Sequence, residues 1–185
     1  MSGIRVIAGT AKGRKLKLVP GDTTRPITDR VKESLFNILG TGIQGAAFLD
    51  MFAGTGSVGI EALSRGAAFA RFLDLEARAI QTIRTNLEIT QFEAKADVLR
   101  VDAFKLLERT PDRTFDFAYI APPQYQTLWE RALHHLDTHK TWLAEDAWVI
   151  VQIDPREYME KTLQNLIEFD QRRYGNTLLV FYGVK

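Results

Sequence analysis

The chain has 185 residues, of which 45% are hydrophobic and 25% are charged, a composition typical of one soluble globular domain. No apolar run approaches the roughly 18 residues that a membrane-spanning helix needs. The N-terminus also lacks the apolar core and the cleavage site of a signal peptide. Cysteine is absent, which excludes disulfides, thiolate zinc sites and thiolate nucleophiles and agrees with a cytoplasmic location.

The charge is distributed unevenly along the chain. Residues 1–40 contain eight basic and three acidic residues, a balance of +5, whereas the remainder contains sixteen basic and twenty acidic residues, a balance of −4. A basic segment attached to a slightly acidic body indicates contact with a polyanion such as nucleic acid. A solvated hairpin with scattered lysines is the alternative interpretation.

In chain order, the first predicted elements are two short β-like runs, IRVIAG and GRKLKLV, around a glycine-containing turn, which predict a hairpin. After the irregular PGDTTRP, the segment TDRVKESLFNIL has an apolar residue at every fourth position. This spacing predicts a helix, with Thr28 or Asp29 at its N-cap. We therefore expect a basic hairpin-and-helix extension over residues 1–40, followed by the main domain over residues 41–185.

From residue 41 onward, strand-like and helix-like segments alternate. The strands are AAFLDMF, FARFLDL, ADVLRVD, FDFAYIA and DAWVIVQID, and the helices between them are SVGIEALSRG, EARAIQTIRTNLEIT, AFKLLER and QTLWERALHHL. A further helix is predicted over residues 156–169, and Gly175-Asn176 then predicts a terminal hairpin. The alternation predicts an α/β fold of Rossmann type, a doubly wound and mostly parallel sheet with an antiparallel hairpin at its end.

A glycine-rich loop connects the first of these strands to its helix. Gly54, Gly56 and Gly59 fit the G-x-G-x-x-G pattern, which lets a ligand approach the backbone closely and suits dinucleotides and other adenosine cofactors alike. Asp74 ends the next strand, 20 residues after Gly54, where a carboxylate can accept hydrogen bonds from ribose hydroxyls. Asp102 ends the third strand, where an adenine ring would lie.

Asp50, at the end of the strand before this loop, distinguishes between the possible cofactors. Its carboxylate would repel the pyrophosphate of a nicotinamide coenzyme. The same carboxylate can bind the ammonium group of S-adenosylmethionine through a charge-assisted hydrogen bond. The pattern therefore favours S-adenosylmethionine, with S-adenosylhomocysteine as the product. The alternative is that the glycines are turn residues and that the three aspartates are strand-end caps.

The fourth strand ends in a stiff step, Ala121-Pro122-Pro123-Gln124-Tyr125, at the same edge as the glycine loop. Prolines lack an N–H group and fix φ, so the carbonyls of this step point in set directions and can accept hydrogen bonds from the exocyclic amine of a base. The proline rings and the tyrosine ring offer a surface on which a flipped base can stack. Catalysis would then consist mainly of positioning the amine in line with a sulfonium methyl group. A strand terminator with a core tyrosine is the alternative.

Four segments, IRVIAGTAKGRKLK, TRPITDRVKESLFNIL, FLDMFAGTGSVGIEALSRGA and YGNTLLVFY, carry a family resemblance. Over nearly its whole length the chain resembles the RsmD family of bacterial methyltransferases, which methylate the N2 amine of a guanine in small-subunit ribosomal RNA. The resemblance implies a seven-stranded, S-adenosylmethionine-dependent fold that acts on ribosomal RNA or a ribonucleoprotein particle. We also expect the protein to be a cytoplasmic monomer without a metal.

The resemblance also implies the roles of individual residues. The cofactor would be lined on its methionine, ribose and adenine sides by Asp50, Phe52, Ala53, Gly54, Thr55, Gly56, Asp74, Leu75, Asp102 and Ala103. RNA would be contacted by basic residues of the first 40 positions, namely Arg5, Lys12, Arg14, Lys15, Arg25 and Arg30.

The proline step departs from the acidic D-P-P-aromatic motif of that family. Ala121 replaces the acid, and Gln124 occupies the place of the aromatic, with Tyr125 one position later. The remaining acceptors for an amine are the carbonyls of Ala121 or Pro122 and Gln124 Oε1. Three hypotheses stay open: catalysis with these acceptors, an amine methyltransferase for another target such as a DNA adenine or a protein glutamine, and a ribosome assembly factor that binds RNA without catalysis.

Overall fold

The structure is a computed structural model that describes residues 3–22 and 26–185, and every structural statement below refers to these residues. The strands are β1 (Ala47–Asp50), β2 (Phe69–Asp74), β3 (Ala96–Arg100), β4 (Phe115–Ile120), β5 (Leu143–Ile153), β6 (Leu166–Tyr174) and β7 (Thr177–Val184). The helices are α1 (Asp29–Leu39), α2 (Ser57–Ser64), α3 (Ala77–Thr90), α4 (Ala103–Leu107) and α5 (Leu128–Thr138). Short 3-10 turns lie at Gly40–Ile43, Glu93–Lys95, Lys140–Trp142 and Pro155–Glu157.

The seven strands form one sheet in the order β3-β2-β1-β4-β5-β7-β6. Strands β1 to β5 pair in parallel, and β7 pairs antiparallel with both β5 and β6. The predicted α/β sheet with its closing hairpin is confirmed, and the turn of the hairpin contains Gly175 at φ +59°. The strand order reverses between β1 and β4, which places the topological switch point at the carboxyl ends of these two strands.

Apolar side chains fill both faces of the sheet. On one face α1, α2 and α3 cover a cluster that includes Leu35, Phe48 and Ile60. On the other face α4 and α5 cover a second cluster that includes Phe115 and Trp129. These are helices on opposite faces of one parallel sheet, which is the layer arrangement that alternating strands and helices predict. No helix in residues 3–22 or 26–185 combines the length and the apolar character needed to cross a bilayer.

The N-terminal segment forms the predicted hairpin in a reduced form. A single antiparallel bridge joins Arg5 to Lys15, and the Val6 N–H donates to the Arg14 carbonyl at 3.0 Å. Its apolar side chains, Ile4, Val6, Ala11 and Leu16, belong to the same cluster as α1 and the sheet. The hairpin therefore packs on the α/β core, and its separation from residues 41–185 as a domain stays a prediction.

Helix α1 begins where its sequence indicates. Thr28 is the N-cap, and its hydroxyl accepts a hydrogen bond from the Val31 N–H at 3.3 Å. Such a bond satisfies one of the backbone donors that have no partner inside the first turn. The helix ends at Leu39, before Gly40 at φ +56°.

The prediction of a helix over residues 156–169 is wrong. This stretch contains only the 3-10 turn Pro155–Glu157, an irregular connection and the start of β6. The physical reason is Asp137, a buried residue at the end of α5, whose carboxylate accepts the N–H groups of Gln164, Asn165 and Leu166 at 2.7–2.9 Å. A helix would need those N–H groups for its own hydrogen bonds, so this distant contact overrides the local helical pattern.

Candidate active site

The carboxyl ends of β1 to β4 meet at one edge of the sheet and carry the residues singled out from the sequence. Asp50 ends β1 and lies opposite Tyr119 of β4 in the register, so the glycine loop and the proline step leave the sheet from neighbouring strands. Asp74 ends β2, the neighbour of β1 on its other side, and Asp102 follows β3. In an open parallel sheet, ligands bind in the crevice outside such strand ends.

The three glycines of the loop have three different roles. Gly54 is at φ +56°, and a Cβ added there would meet nothing within 4 Å, so its backbone is open to a ligand. Gly56 is at φ +79°, and its N–H donates to the Ala53 carbonyl at 2.7 Å, which closes a tight turn before α2. A Cβ at Gly59 would lie 2.4 Å from a ring carbon of Phe72. Gly59 therefore serves the packing of α2 on β2, and only the first two glycines shape the loop.

Asp50 is the most unusual ionisable group of the site. It is 2% exposed, and its Oδ1 has no hydrogen-bond partner among the described residues. Burial raises the pKa of Asp50 to about 7, the charge of Asp74 adds to this rise, and the N–H groups of Gly59 and Phe52 oppose it. Burial and the charge of Asp50 also raise the pKa of Tyr119. A buried carboxylate with a free oxygen at a strand end fits a cationic ligand group and disfavours a phosphate.

The other two strand-end acids also serve the protein's own structure. Asp74 Oδ2 accepts the Gly54 N–H and its Oδ1 accepts the Glu76 N–H, both at 2.9 Å. Asp102 caps α4 by accepting the Phe104 N–H at 2.8 Å. Each carboxylate oxygen has a second lone pair, so both acids keep the capacity to bind ribose or adenine groups. Their predicted ligand roles therefore stay predictions, alongside a structural role as caps.

Apolar surface borders these acids. Phe52, which is half-buried, packs edge-to-face on Phe104 with 6.3 Å between ring centroids. Leu75 is 60% exposed, although large apolar side chains are usually buried. Ala53 and Ala103 are buried, and Thr55 accepts a hydrogen bond at its carbonyl from the Asn86 side chain at 2.9 Å. The crevice thus combines acidic groups with apolar side chains, of which Leu75 is exposed.

The proline step lies beside the glycine loop and changes from half-buried to exposed along its length. Ala121 and Pro122 are half-buried, and Ala121 packs against the first apolar cluster. Pro123 and Gln124 are exposed, and Tyr125 is 60% exposed at φ +61°. The predicted alternative of a core tyrosine does not agree with this exposure, and the carbonyls and the Gln124 amide remain the candidate acceptors.

Sequence reasoning missed the residues that contact Tyr125. The tyrosine hydroxyl donates to Asp154 Oδ2 at 3.0 Å, and the tyrosine N–H donates to Glu157 Oε1 at 2.7 Å. Arg156 Nη2 donates to the tyrosine hydroxyl oxygen at 2.6 Å. The sequence Asp154-Pro155-Arg156-Glu157, an acid followed three positions later by Glu, indicates the capping box that these residues form, but not their contact with Tyr125.

The basic residues of the first 40 positions are mostly at the surface. Lys12, Arg14, Lys15 and Arg30 are exposed, and Arg5 is exposed and pairs with Asp29 at 2.9 Å. Arg25 lies outside the described residues. An Arg14 guanidinium N–H donates to the Ile89 carbonyl at 2.5 Å. The side chains are thus available to a polyanion, and their contact with RNA stays a prediction.

A buried polar network that the sequence did not reveal attaches the hairpin to the fold. Glu61 of α2 is fully buried and accepts the N–H groups of Ile7 and Ala8 at 2.8 and 3.1 Å. Lys32 of α1 lies 3.5 Å from Glu61 and donates to the Arg5 carbonyl at 2.6 Å, and burial lowers the pKa of Lys32. In the sequence, the sign of this network is Glu61, a lone acid within the mostly apolar helix SVGIEALS.

Asn86 connects the hairpin to the glycine loop. Its Oδ1 accepts the Lys17 N–H at 2.7 Å, and its Nδ2 donates to the Lys17 carbonyl at 3.1 Å and to the Thr55 carbonyl at 2.9 Å. The segment after the hairpin is therefore fixed beside the candidate cofactor loop. Over residues 3–22 and 26–185, no group of three or more His, Asp or Glu side chains is arranged to hold a metal ion.

The amino-acid sequence matches one family and several of its relatives. The family described as "Conserved hypothetical protein 95" matches residues 4–183. Ribosomal RNA small subunit methyltransferase D of Escherichia coli strain K12 is 37% identical over 151 residues, which cover 80% of this chain and 74% of that protein. YlbH of Bacillus subtilis, whose name assigns it provisionally to the rRNA methyltransferases, is 38% identical, with 97% of this chain and 98% of that protein covered.

Two solved structures are also similar to this chain. The Escherichia coli protein yhhF, named provisionally as a methyltransferase, has a TM-score of 0.88 at 32% identity and covers 100% of this chain and 99% of its own. An RNA methyltransferase from Salinibacter ruber in complex with S-adenosyl-L-homocysteine has a TM-score of 0.67 at 10% identity, covering 86% of this chain and 94% of that one. The second likeness shows the fold alone.

Proposed function

Because the chain belongs to the RsmD family of S-adenosylmethionine-dependent rRNA methyltransferases, we propose that it methylates the exocyclic N2 amine of a guanine in small-subunit ribosomal RNA. The observation that carries the proposal is Asp50, a buried carboxylate whose Oδ1 has no partner among the described residues, at the switch point of the sheet. Such an oxygen suits the ammonium of S-adenosylmethionine, because a charge-assisted hydrogen bond would offset the cost of its burial.

The residues present fit the rest of this cofactor. The open backbone at Gly54 admits the methionine part, and Asp74 has lone pairs for the ribose hydroxyls. Asp102, the buried Ala103 and the exposed Leu75 would hold the adenine. When bound, S-adenosylmethionine supplies an electrophilic methyl group on a sulfonium.

The proline step would position the guanine. The carbonyls of Ala121 and Pro122 and the Gln124 Oε1 would accept hydrogen bonds from the N2 amine and orient its nitrogen, while the Tyr125 ring would stack on the base. Alanine at position 121 has no titratable group, so the proton lost from the amine would pass to water. Positioning would therefore supply most of the rate enhancement.

Exposed basic side chains support RNA as the substrate. Lys12, Arg14 and Lys15 lie on the turn and return run of the hairpin, which Asn86 connects to the cofactor loop through Lys17 and Thr55. RNA bound along the hairpin would approach the crevice from this side. We propose that the chain acts on RNA, free or in a particle, as a monomer.

The presence of alanine at position 121 supports a second candidate function, that of an assembly factor that binds RNA without methylating it. The acid of the family motif is missing there, and one lost acceptor typically costs on the order of 10²–10³ in rate. Analysis of ribosomal RNA from a deletion strain separates the two functions. Loss of one methylated guanine is the result expected for the enzyme, whereas unchanged modification with impaired subunit assembly would favour the assembly factor.

The cofactor is tested separately by titration calorimetry with S-adenosylmethionine and with NAD. We expect binding of S-adenosylmethionine and no binding of NAD, because a pyrophosphate would be repelled by Asp50. Tight binding of NAD without any response to S-adenosylmethionine would overturn the proposal.

A further inference from the structure

Tyr125 of the proline step is contacted from a different strand of the sheet. The residues that contact it, Asp154, Arg156 and Glu157, follow β5, and we call these three residues the tyrosine clamp. Together they bind the tyrosine N–H, bind its hydroxyl and place a guanidinium carbon 5.7 Å from the ring centroid. The ring is therefore fixed to the end of β5 as well as to the end of β4.

The clamp is itself held in one arrangement by internal hydrogen bonds. Asp154 is 4% exposed, and its Oδ1 accepts the backbone N–H and the Nε–H of Arg156 at 2.9 and 3.0 Å. Its Oδ2 accepts Arg156 Nη2 at 2.9 Å. Glu157 Oε2 accepts the Asp154 N–H at 3.3 Å, which closes the capping box. Hydrogen bonding to Arg156 lowers the pKa of Asp154 well below its usual range, so the Asp154 carboxylate stays ionised at neutral pH.

Tyr125 adopts a backbone conformation that a bulky residue rarely adopts. Its φ is +61°, and the bond from its N–H to Glu157 fixes the backbone at this point. Its ring is 60% exposed, so core packing does not explain the conformation. Strained residues held by their surroundings occur mainly at functional sites. Here the conformation presents an immobilised aromatic surface beside the cofactor loop.

We propose that the tyrosine clamp is a positioning device that fixes the Tyr125 ring as the surface on which the target base stacks. Asp154, Arg156 and Glu157 act through Tyr125 and do not touch the base themselves. The inference rests on the proposed function, in which a base enters this crevice. The inference adds that the three clamp residues, which follow β5, determine how well the base is held. Cofactor binding does not depend on them.

The kinetic test compares Asp154→Asn and Glu157→Gln with the control Tyr158→Phe, which removes a hydroxyl from the same segment. That hydroxyl donates to Glu168 of β6 at 2.8 Å. We expect the clamp variants to lower kcat/KM for RNA on the order of tenfold, the scale of one lost base–aromatic stack, with an unchanged KM for S-adenosylmethionine. The control should retain wild-type values.

In a Tyr125→Ala background the clamp substitutions should have no further effect, because the ring they position is gone. Equal losses in both backgrounds would overturn the inference.

A second measurement does not depend on turnover. In protein labelled with 3-fluorotyrosine, the ¹⁹F resonance of Tyr125 is identified by its loss in Tyr125→Phe. We expect added small-subunit RNA to shift this resonance in the wild type and in Tyr158→Phe, and to shift it less in Glu157→Gln. Absence of a shift in the wild type, or an equal shift in Glu157→Gln, would refute the positioning role. An RNA-induced shift without any methyl transfer would instead refute only the proposed catalysis.

Discussion

Replacement of Asp50 by asparagine should stabilise the protein and weaken cofactor binding at the same time. The Asp50 side chain is 2% exposed and carries an oxygen without a partner among the described residues. Burial raises its pKa from 3.8 to about 7, and the charge of Asp74 adds to the rise. Asparagine keeps the size of the side chain and removes the charge, so the variant isolates the electrostatic contribution.

The magnitude follows from the pKa difference. A rise of roughly three units, at about 1.4 kcal/mol per unit, means that the ionised Asp50 carboxylate costs about 4 kcal/mol of folding free energy above pH 7. Between about pH 4 and pH 7 the native state binds more protons than the unfolded state, so the stability contributed by this group falls as the pH rises. Above pH 7 the cost is constant, and near pH 4 it is nearly absent.

Urea unfolding across this pH range measures the effect. We expect Asp50→Asn to exceed the wild type in unfolding free energy by several kcal/mol at pH 8, with a difference that shrinks as the pH falls towards 4. Calorimetry should show binding of S-adenosylmethionine weakened roughly 10- to 100-fold, the equivalent of one charge-assisted hydrogen bond, and Asp50→Ala should weaken it similarly. A stability difference that does not change with pH, together with unchanged cofactor binding, would contradict this role of the Asp50 charge.

Three further predictions concern the proline step, the hairpin and the packing of helix α2. Ala121→Asp should be tolerated and raise the turnover of RNA methylation, because it supplies a side-chain acceptor for the amine; a collapse of activity would show that the site requires the small residue. Replacing Lys12, Arg14 and Lys15 by Gln should weaken RNA binding and reduce the slope of log K against log salt by about 2, and an unchanged slope would exclude the hairpin as an RNA contact. Gly59→Ala should lower the free energy of unfolding in urea by up to about 2 kcal/mol, because an overpacking cost of about 1–3 kcal/mol from the contact at 2.4 Å outweighs a helix-propensity gain of about 1 kcal/mol; a more stable variant would contradict this.

The sheet and the position of the crevice could be predicted from the sequence because both depend on local patterns. Alternating strand and helix segments determine a parallel sheet, and the loop after the first strand lies at its carboxyl edge whatever the packing details are. The same locality explains why Thr28 could be identified as a cap of α1. The turn at Gly175 could also be predicted from the sequence, because a two-residue hairpin turn needs a positive φ.

The elements that sequence reasoning missed depend on contacts between distant residues. Asp137 holds the backbone of residues 164–166 in a bend that leads into β6, although the local pattern there is helical. Glu157 contacts Tyr125 across 32 positions of the sequence, so the spacing of neither residue reveals the clamp. The burial of Glu61 beside Lys32 depends on how the hairpin docks on α1 and α2. The partners in each of these contacts can be identified only from the three-dimensional structure.

The chemistry at position 121 is the point at which the sequence and the site differ most from the family pattern. Ala121 is half-buried against the first apolar cluster and contributes only its carbonyl as an acceptor. In the proposed reaction, backbone carbonyls and Gln124 therefore orient the amine, and the clamped Tyr125 holds the base. These contributions are separable by the variants described above.

The chemical identity of the methylated product decides whether this chain methylates the N2 amine of a guanine. The purified chain is incubated with S-adenosylmethionine carrying a deuterated methyl group and with small-subunit ribosomal RNA, free and in particles, and the RNA is digested to nucleosides for mass spectrometry. We expect deuterated N2-methylguanosine in wild-type reactions and a strongly reduced amount with Asp50→Ala. Deuterium on a different nucleoside, or none on RNA that the chain demonstrably binds, would contradict this expectation.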